Sequence, residues 1–90
     1  LGLHKEEVRA YKEALILNPK YAQAHYNISM AYDYMKEGVK AIYHMQKALD
    51  LYATKRNHRK IRTTQRQLKR FYMSYPTEAG SIFSEKTQNR

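Results

Sequence analysis

The stretch AHYNISMAYDYMKEGVKAIYHMQKALDLY, residues 24–52, spaces alanine, tyrosine and methionine at three- and four-residue intervals around one glycine. Ala24, Ile28, Ala31, Tyr32 and Met35 share one helical stripe; Ile42, Met45, Ala48, Leu49 and Tyr52 share another. The pattern predicts a helix over about 20–35 and a second over about 39–52, parted at Gly38. Helices joined so briefly pack antiparallel. Small residues such as Ala31, Ala41 and Ala48 let the facing helices approach, and Tyr and Met fill the space beside them.

The same spacing extends in both directions. In HKEEVRAYKEALIL, residues 4–17, Val8, Tyr11 and Leu15 form a stripe with Ala10, Ala14 and Leu17 beside it. Glu6 and Glu7 are expected in the first turn, where the positive end of the helix dipole favours carboxylates. Asn18-Pro19 ends that helix, since proline lacks an amide hydrogen and turns its predecessor away from helical torsions. Residues 55–74 hold no acid, while Ile61, Leu68, Phe71, Tyr72 and Tyr75 recur at helical intervals. A fourth helix is expected there, ending at Tyr75-Pro76 and lined on its other sides by Arg59, Arg62, Arg66, Lys69 and Arg70. From 76 to 90 only Ile82 and Phe83 are bulky and apolar, which predicts a tail with no fold of its own.

Ninety residues make one small domain with a small core. With no cysteine there is neither a disulfide framework nor thiolate-bound zinc, although the compartment stays open. No apolar run approaches the roughly 20 residues of a membrane span. The chain begins at Leu1 rather than Met, so it reads as a fragment or processed chain, with a leader or an upstream domain left open. Its formal charge of +9 is lopsided. Residues 1–52 carry seven basic and six acidic side chains, residues 53–90 ten and two. A localised excess of this kind attracts acidic protein, nucleic acid or an anionic surface.

EVRAYKEALILNP (Glu7–Pro19) lines up with KAIYHMQKALDLYA (Lys40–Ala53) at an offset of 34 residues: Val8 on Ile42, Tyr11 on Met45, Ala14 on Ala48, Leu15 on Leu49, Leu17 on Leu51. His25-x2-Ile28-Ser29-x2-Tyr32 followed by Ala41-x3-Met45, with Ala53 where proline would stand, resembles the tetratricopeptide repeat. The resemblance covers roughly residues 1–54. It implies an all-α fold of antiparallel helical hairpins, about one and a half repeats. These would comprise a half repeat at 1–19 and a full repeat at about 22–55, with 55–75 as a basic capping helix. Two departures stand out: Lys36 takes the place where the family has its turn glycine, with Gly38 two residues later, so a rebuilt inter-helix turn is expected, and Glu7 sits where alanine is usual. A further repeat would bury Arg59, Arg62 and Arg66, which a core does not tolerate, hence the cap. Fewer than three repeats rarely stand alone, so self-association or missing upstream repeats are expected.

No catalytic constellation emerges. The histidines (His4, His25, His44, His58) are never four apart, no metal-ligand set forms, and no glycine-rich phosphate loop exists, so no enzyme activity, metal or cofactor is expected. His25, in the place of the motif's aromatic, is expected as a packed, half-exposed ring. The resemblance implies a scaffold or adaptor that binds a protein or peptide in a concave groove lined by Gln23, Tyr26, Asn27, Met30, Asp33 and Tyr34. The alternative, from charge alone, is nucleic-acid or anionic-surface binding through Arg59, Arg62, Arg66, Lys69 and Arg70. Acidic partner segments suit that stripe as well.

Overall fold

The structure, a computed structural model, describes residues 2–77. Four helices fill nearly all of that span: α1 (Gly2–Leu17), α2 (Ala22–Tyr34), α3 (Gly38–Thr54) and α4 (His58–Ser74). The described residues are all-α, with no strand. None of these helices is long and apolar enough to cross a membrane. The expected tail lies outside the described residues, apart from Pro76 and Thr77.

Consecutive helices run antiparallel, each docked on the one before. The His4 ring at the start of α1 stacks on Tyr34 at the end of α2, with centroids 4.9 Å apart and planes 5° apart. Tyr52 near the end of α3 donates to Gln23 Oε1 near the start of α2 at 2.7 Å. Tyr75, just past α4, packs its ring on Gly38 at the start of α3. Its hydroxyl donates to Asp33 Oδ1 at 2.6 Å, which places the end of α4 beside the end of α2 and makes those two helices parallel.

The apolar stripes account for the core. Val8, Ile28, Ala31, Tyr32, Ala41, Ile42, Met45, Leu68 and Phe71 form the main cluster, and Ala22, Ala48 and Tyr52 a second at the far end of the α2–α3 seam. Tyr11, Leu15, Met35, Leu49, Tyr72 and Tyr75 pack at its margin. Leu17, expected beside the α1 stripe, is 89 % exposed. Two buried hydroxyls find acceptors: Ser29 donates across the α2–α3 seam to the Ala41 carbonyl, and Thr64 donates within α4 to the Lys60 carbonyl at 2.6 Å. Each hydroxyl is satisfied, as burial demands.

The helix ends differ from expectation in three places. Helix α1 already begins at Gly2, so Glu6 and Glu7 lie beyond the first turn and do not compensate the dipole there. Glu7 instead accepts from His4 Nδ1 at 2.9 Å. Helix α4 starts at His58 rather than 55, because α3 runs on to Thr54 and Asn57 caps α4, accepting from the Lys60 amide at 3.2 Å. The turn after α2 is not rebuilt, because Lys36 itself takes the left-handed conformation, with φ 61°. Its amide donates to Asp33 O at 3.0 Å, and the Glu37 amide to Tyr32 O at 2.9 Å. Arg56, φ 55°, closes α3 in the same way, with Arg56 N to Ala53 O at 3.0 Å and Asn57 N to Tyr52 O at 3.1 Å. Both are Schellman closures, which glycine ordinarily makes because it has no Cβ to clash. Lys36→Gly and Arg56→Gly should therefore each raise stability, by about 0.5–1 kcal/mol in urea unfolding, since left-handed strain exceeds the added unfolded-state entropy of glycine.

Candidate functional site

The expected groove residues all lie on α2, but they do not all face one neighbour. Gln23, Asn27, Met30 and Asp33 form a half-buried row along one side of α2, which meets Arg70 of α4 at Met30 and Asp33 and Tyr52 of α3 at Gln23. Within it the Gln23 amide donates to Asn27 Oδ1 at 3.0 Å, while Gln23 Oε1 accepts from Tyr52. Tyr26 reaches both core clusters and is a half-buried wall of the row. Tyr34 points elsewhere: it is 68 % exposed and lies flat on His4 of α1. Asp33 is already engaged, accepting from Tyr75 at 2.6 Å and from Arg70 Nη2 at 3.1 Å. It ties α4 to α2 as well as bordering the row.

The basic residues of α4 divide similarly. Arg59, Arg62, Arg66 and Lys69 are exposed, recur along one face, and have no carboxylate within ion-pair reach among the described residues. Arg70 stands apart, paired with Asp33 and lying 4.8 Å over the Phe71 ring. The described residues thus present a polar, half-buried row on α2 and a cationic face on α4 that they leave uncompensated.

A third cluster was hidden in the sequence. His25 and His44 are far apart in the chain, yet their Nδ1 atoms meet at 3.1 Å across the α2–α3 seam. With centroids 5.3 Å apart and planes 27° apart, the rings lie nearly edge to edge and aim those nitrogens at one another. That is the geometry of an N–H···N hydrogen bond, one ring donating and the other accepting. It does not converge two lone pairs on a common metal position. No group of three or more metal-ligating side chains gathers among the described residues. Tyr32 lies beside His44 at 5.6 Å, and Tyr43 meets the same ring edge-on at 5.1 Å.

Burial, the neighbouring His25 and Lys12 push the pKa of His44 down to about 4, and burial with nearby Lys47 lowers that of His25. The unfolded chain therefore takes up protons first as pH falls. The stability of the neutral pair is fully present above pH 6.5 and is lost as pH falls from there towards 4. Melting temperature should drop between pH 7 and 4.5, and His44→Gln should flatten that slope. Burial, then Tyr26 and Tyr21, raise the Tyr52 phenol. It stays a neutral hydrogen-bond donor to Gln23 across the ordinary range.

No family model, curated protein or solved structure matches this chain.

Proposed function

We propose that this chain is a non-catalytic protein-interaction module built on tetratricopeptide-like hairpins, holding a partner segment against the α2 row of Gln23, Tyr26, Asn27 and Met30. The observation that carries the reading is that row itself. Its amides are oriented by Tyr52 and by each other, and Met30 and Tyr26 give it adaptable and rigid apolar surface. The parallel course of α2 and α4, the 34-residue spacing and the antiparallel seams support the repeat assignment, with α4 as the cap.

The proposed mechanism has two parts. The free cations of α4 draw an acidic segment towards the row, and the row then supplies short-range selection. The test is binding of peptides from an acidic display library across a salt series. Tyr26→Ala with Asn27→Ala should weaken binding by about tenfold or more, the order of one or two lost interface side chains. Arg62→Glu with Arg66→Glu should chiefly slow association and reduce its salt dependence.

A second reading has its own support. Four exposed cations along α4, without carboxylate partners among the described residues, suit a polyanion, nucleic acid included. Under it the α4 charge reversals would abolish binding and the α2 variants would leave it intact. Self-association also has a foothold, because Leu3, Ile16 and Leu17 of α1 are 70 %, 77 % and 89 % exposed. If these side chains associate, sedimentation will show a concentration-dependent mass that Leu3→Lys with Leu17→Lys reduces.

A further inference from the structure

We infer that the row of rings His25, His44 and Tyr32, with Lys12, Lys40 and Lys47 around it, is a binding site for a phosphate monoester or free phosphate. This site is independent of the α2 row. It is assembled from three helices: α1 gives Lys12, α2 gives His25 and Tyr32, and α3 gives Lys40, His44 and Lys47. Lys12 and Lys40 both reach the Tyr32 ring, with Nζ 5.8 and 5.4 Å from its centroid. Lys47 lies 5.6 Å from the centroid of Tyr43, whose ring abuts His44.

Charge here is unbalanced. The one carboxylate in ion-pair reach is Glu37, which takes Lys40 at 3.4 Å; Lys12 and Lys47 have none among the described residues. Lys12 stands near His44 and Lys47 near His25, close enough that each disfavours a proton on its neighbour. Cations gathered around neutral rings lack a negative charge, and an oxyanion beside them supplies it.

The histidine bond decides which donors the anion meets. An Nδ1–H···Nδ1 bond requires the accepting ring to carry its own proton on Nε2. That ring therefore offers one Nε2–H even when the pair is neutral. A single added proton goes to the free Nε2 of the donating ring while the bond between the rings survives; because the Nδ1 atoms face one another, the two Nε2–H groups lie at opposite ends of the pair and an anion meets one of them. Only a second proton would break it. A phosphate monoester, whose second ionisation lies near pH 6, accepts from such donors and from ammonium groups alike. Binding should thus draw a proton onto the pair and raise its apparent pKa by roughly one unit or more.

The test follows the histidine ring protons of the full chain by NMR at pH 6.5, titrating sodium phosphate and, separately, O-phosphoserine. Sodium chloride at matched ionic strength is the reference. The expected result is saturable shifts at His25 and His44, absent from His4 and His58. Lys12→Gln with Lys47→Gln should weaken them at least tenfold, and Arg62→Gln with Arg66→Gln should leave them unchanged. Tighter binding of phosphoserine would point to a phosphorylated side chain, and equal binding to free phosphate; both support the site. Equal shifts with chloride, or an affinity that follows the arginines instead of the lysines, would overturn it.

Discussion

Phe71→Ala is expected to cost about 3–5 kcal/mol, the largest effect of any single truncation in this chain. The Phe71 side chain is fully buried, and it joins Leu68 of α4 to the cluster made by α2 and α3. Its ring meets Tyr75 at 6.4 Å in an edge contact and carries Arg70 on its face. Truncation removes the anchor that keeps α4 docked and leaves a cavity that rigid neighbours fill only in part. Domains of this size hold roughly 0.05–0.15 kcal/mol of stability per residue, so the loss consumes much of the total. Circular dichroism in urea should show the midpoint collapsing or the cooperative transition disappearing. Arg66→Ala, on the exposed face of the same helix, should move it by no more than about 0.5 kcal/mol.

Gly38→Ala should cost about 2–3 kcal/mol, for a reason unrelated to backbone torsion. No glycine among the described residues has a positive φ. A Cβ at position 38 would instead lie 2.5 Å from Tyr75 Cγ and Cδ1 and 3.0 Å from Tyr75 Cβ. The tyrosine must then swing away, abandoning its hydroxyl bond to Asp33 and loosening the end of α4. In a Tyr75→Ala background the same substitution should cost far less, because the obstacle is gone. Helix propensity favours alanine, so a residual cost near zero or a slight gain is expected there. A double-mutant cycle by chemical unfolding measures this coupling directly. Near-additive costs would show that the ring is not what the glycine accommodates.

The apolar periodicity made the four helices and most of the core legible. Ala24, Ile28, Ala31, Ile42, Met45, Leu68 and Phe71 are inward-facing because a three-and-four spacing can bury only one side of a helix. What it does not reveal is which polar groups meet across a seam. Thr64 reads as one more polar residue among arginines, yet it is buried because its hydroxyl bonds back to the Lys60 carbonyl. Asp33 with Arg70 and His25 with His44 come from different helices and have no local spacing to announce them. Gly38 reads as a break between helices, whereas the structure uses its missing side chain to admit a ring from the end of α4. Lys36 and Arg56 show the converse: a closure that asks for glycine is made without it, since two backbone hydrogen bonds offset the strain.

Of the candidate site, the α2 row was legible through family resemblance, and the cationic face of α4 through charge alone. The engagement of Asp33 and the turn of Tyr34 towards α1 depend on where α4 and α1 dock, which no single-helix pattern carries.

Docking of a partner segment along α2 is tested most directly by amide shift mapping on the isotope-labelled chain with an acidic peptide selected from the display library. The account predicts that the largest perturbations fall on Gln23, Tyr26, Asn27 and Met30, with smaller, salt-sensitive ones along α4. Perturbations confined to Arg59, Arg62, Arg66 and Lys69, with the α2 amides unmoved, would contradict it.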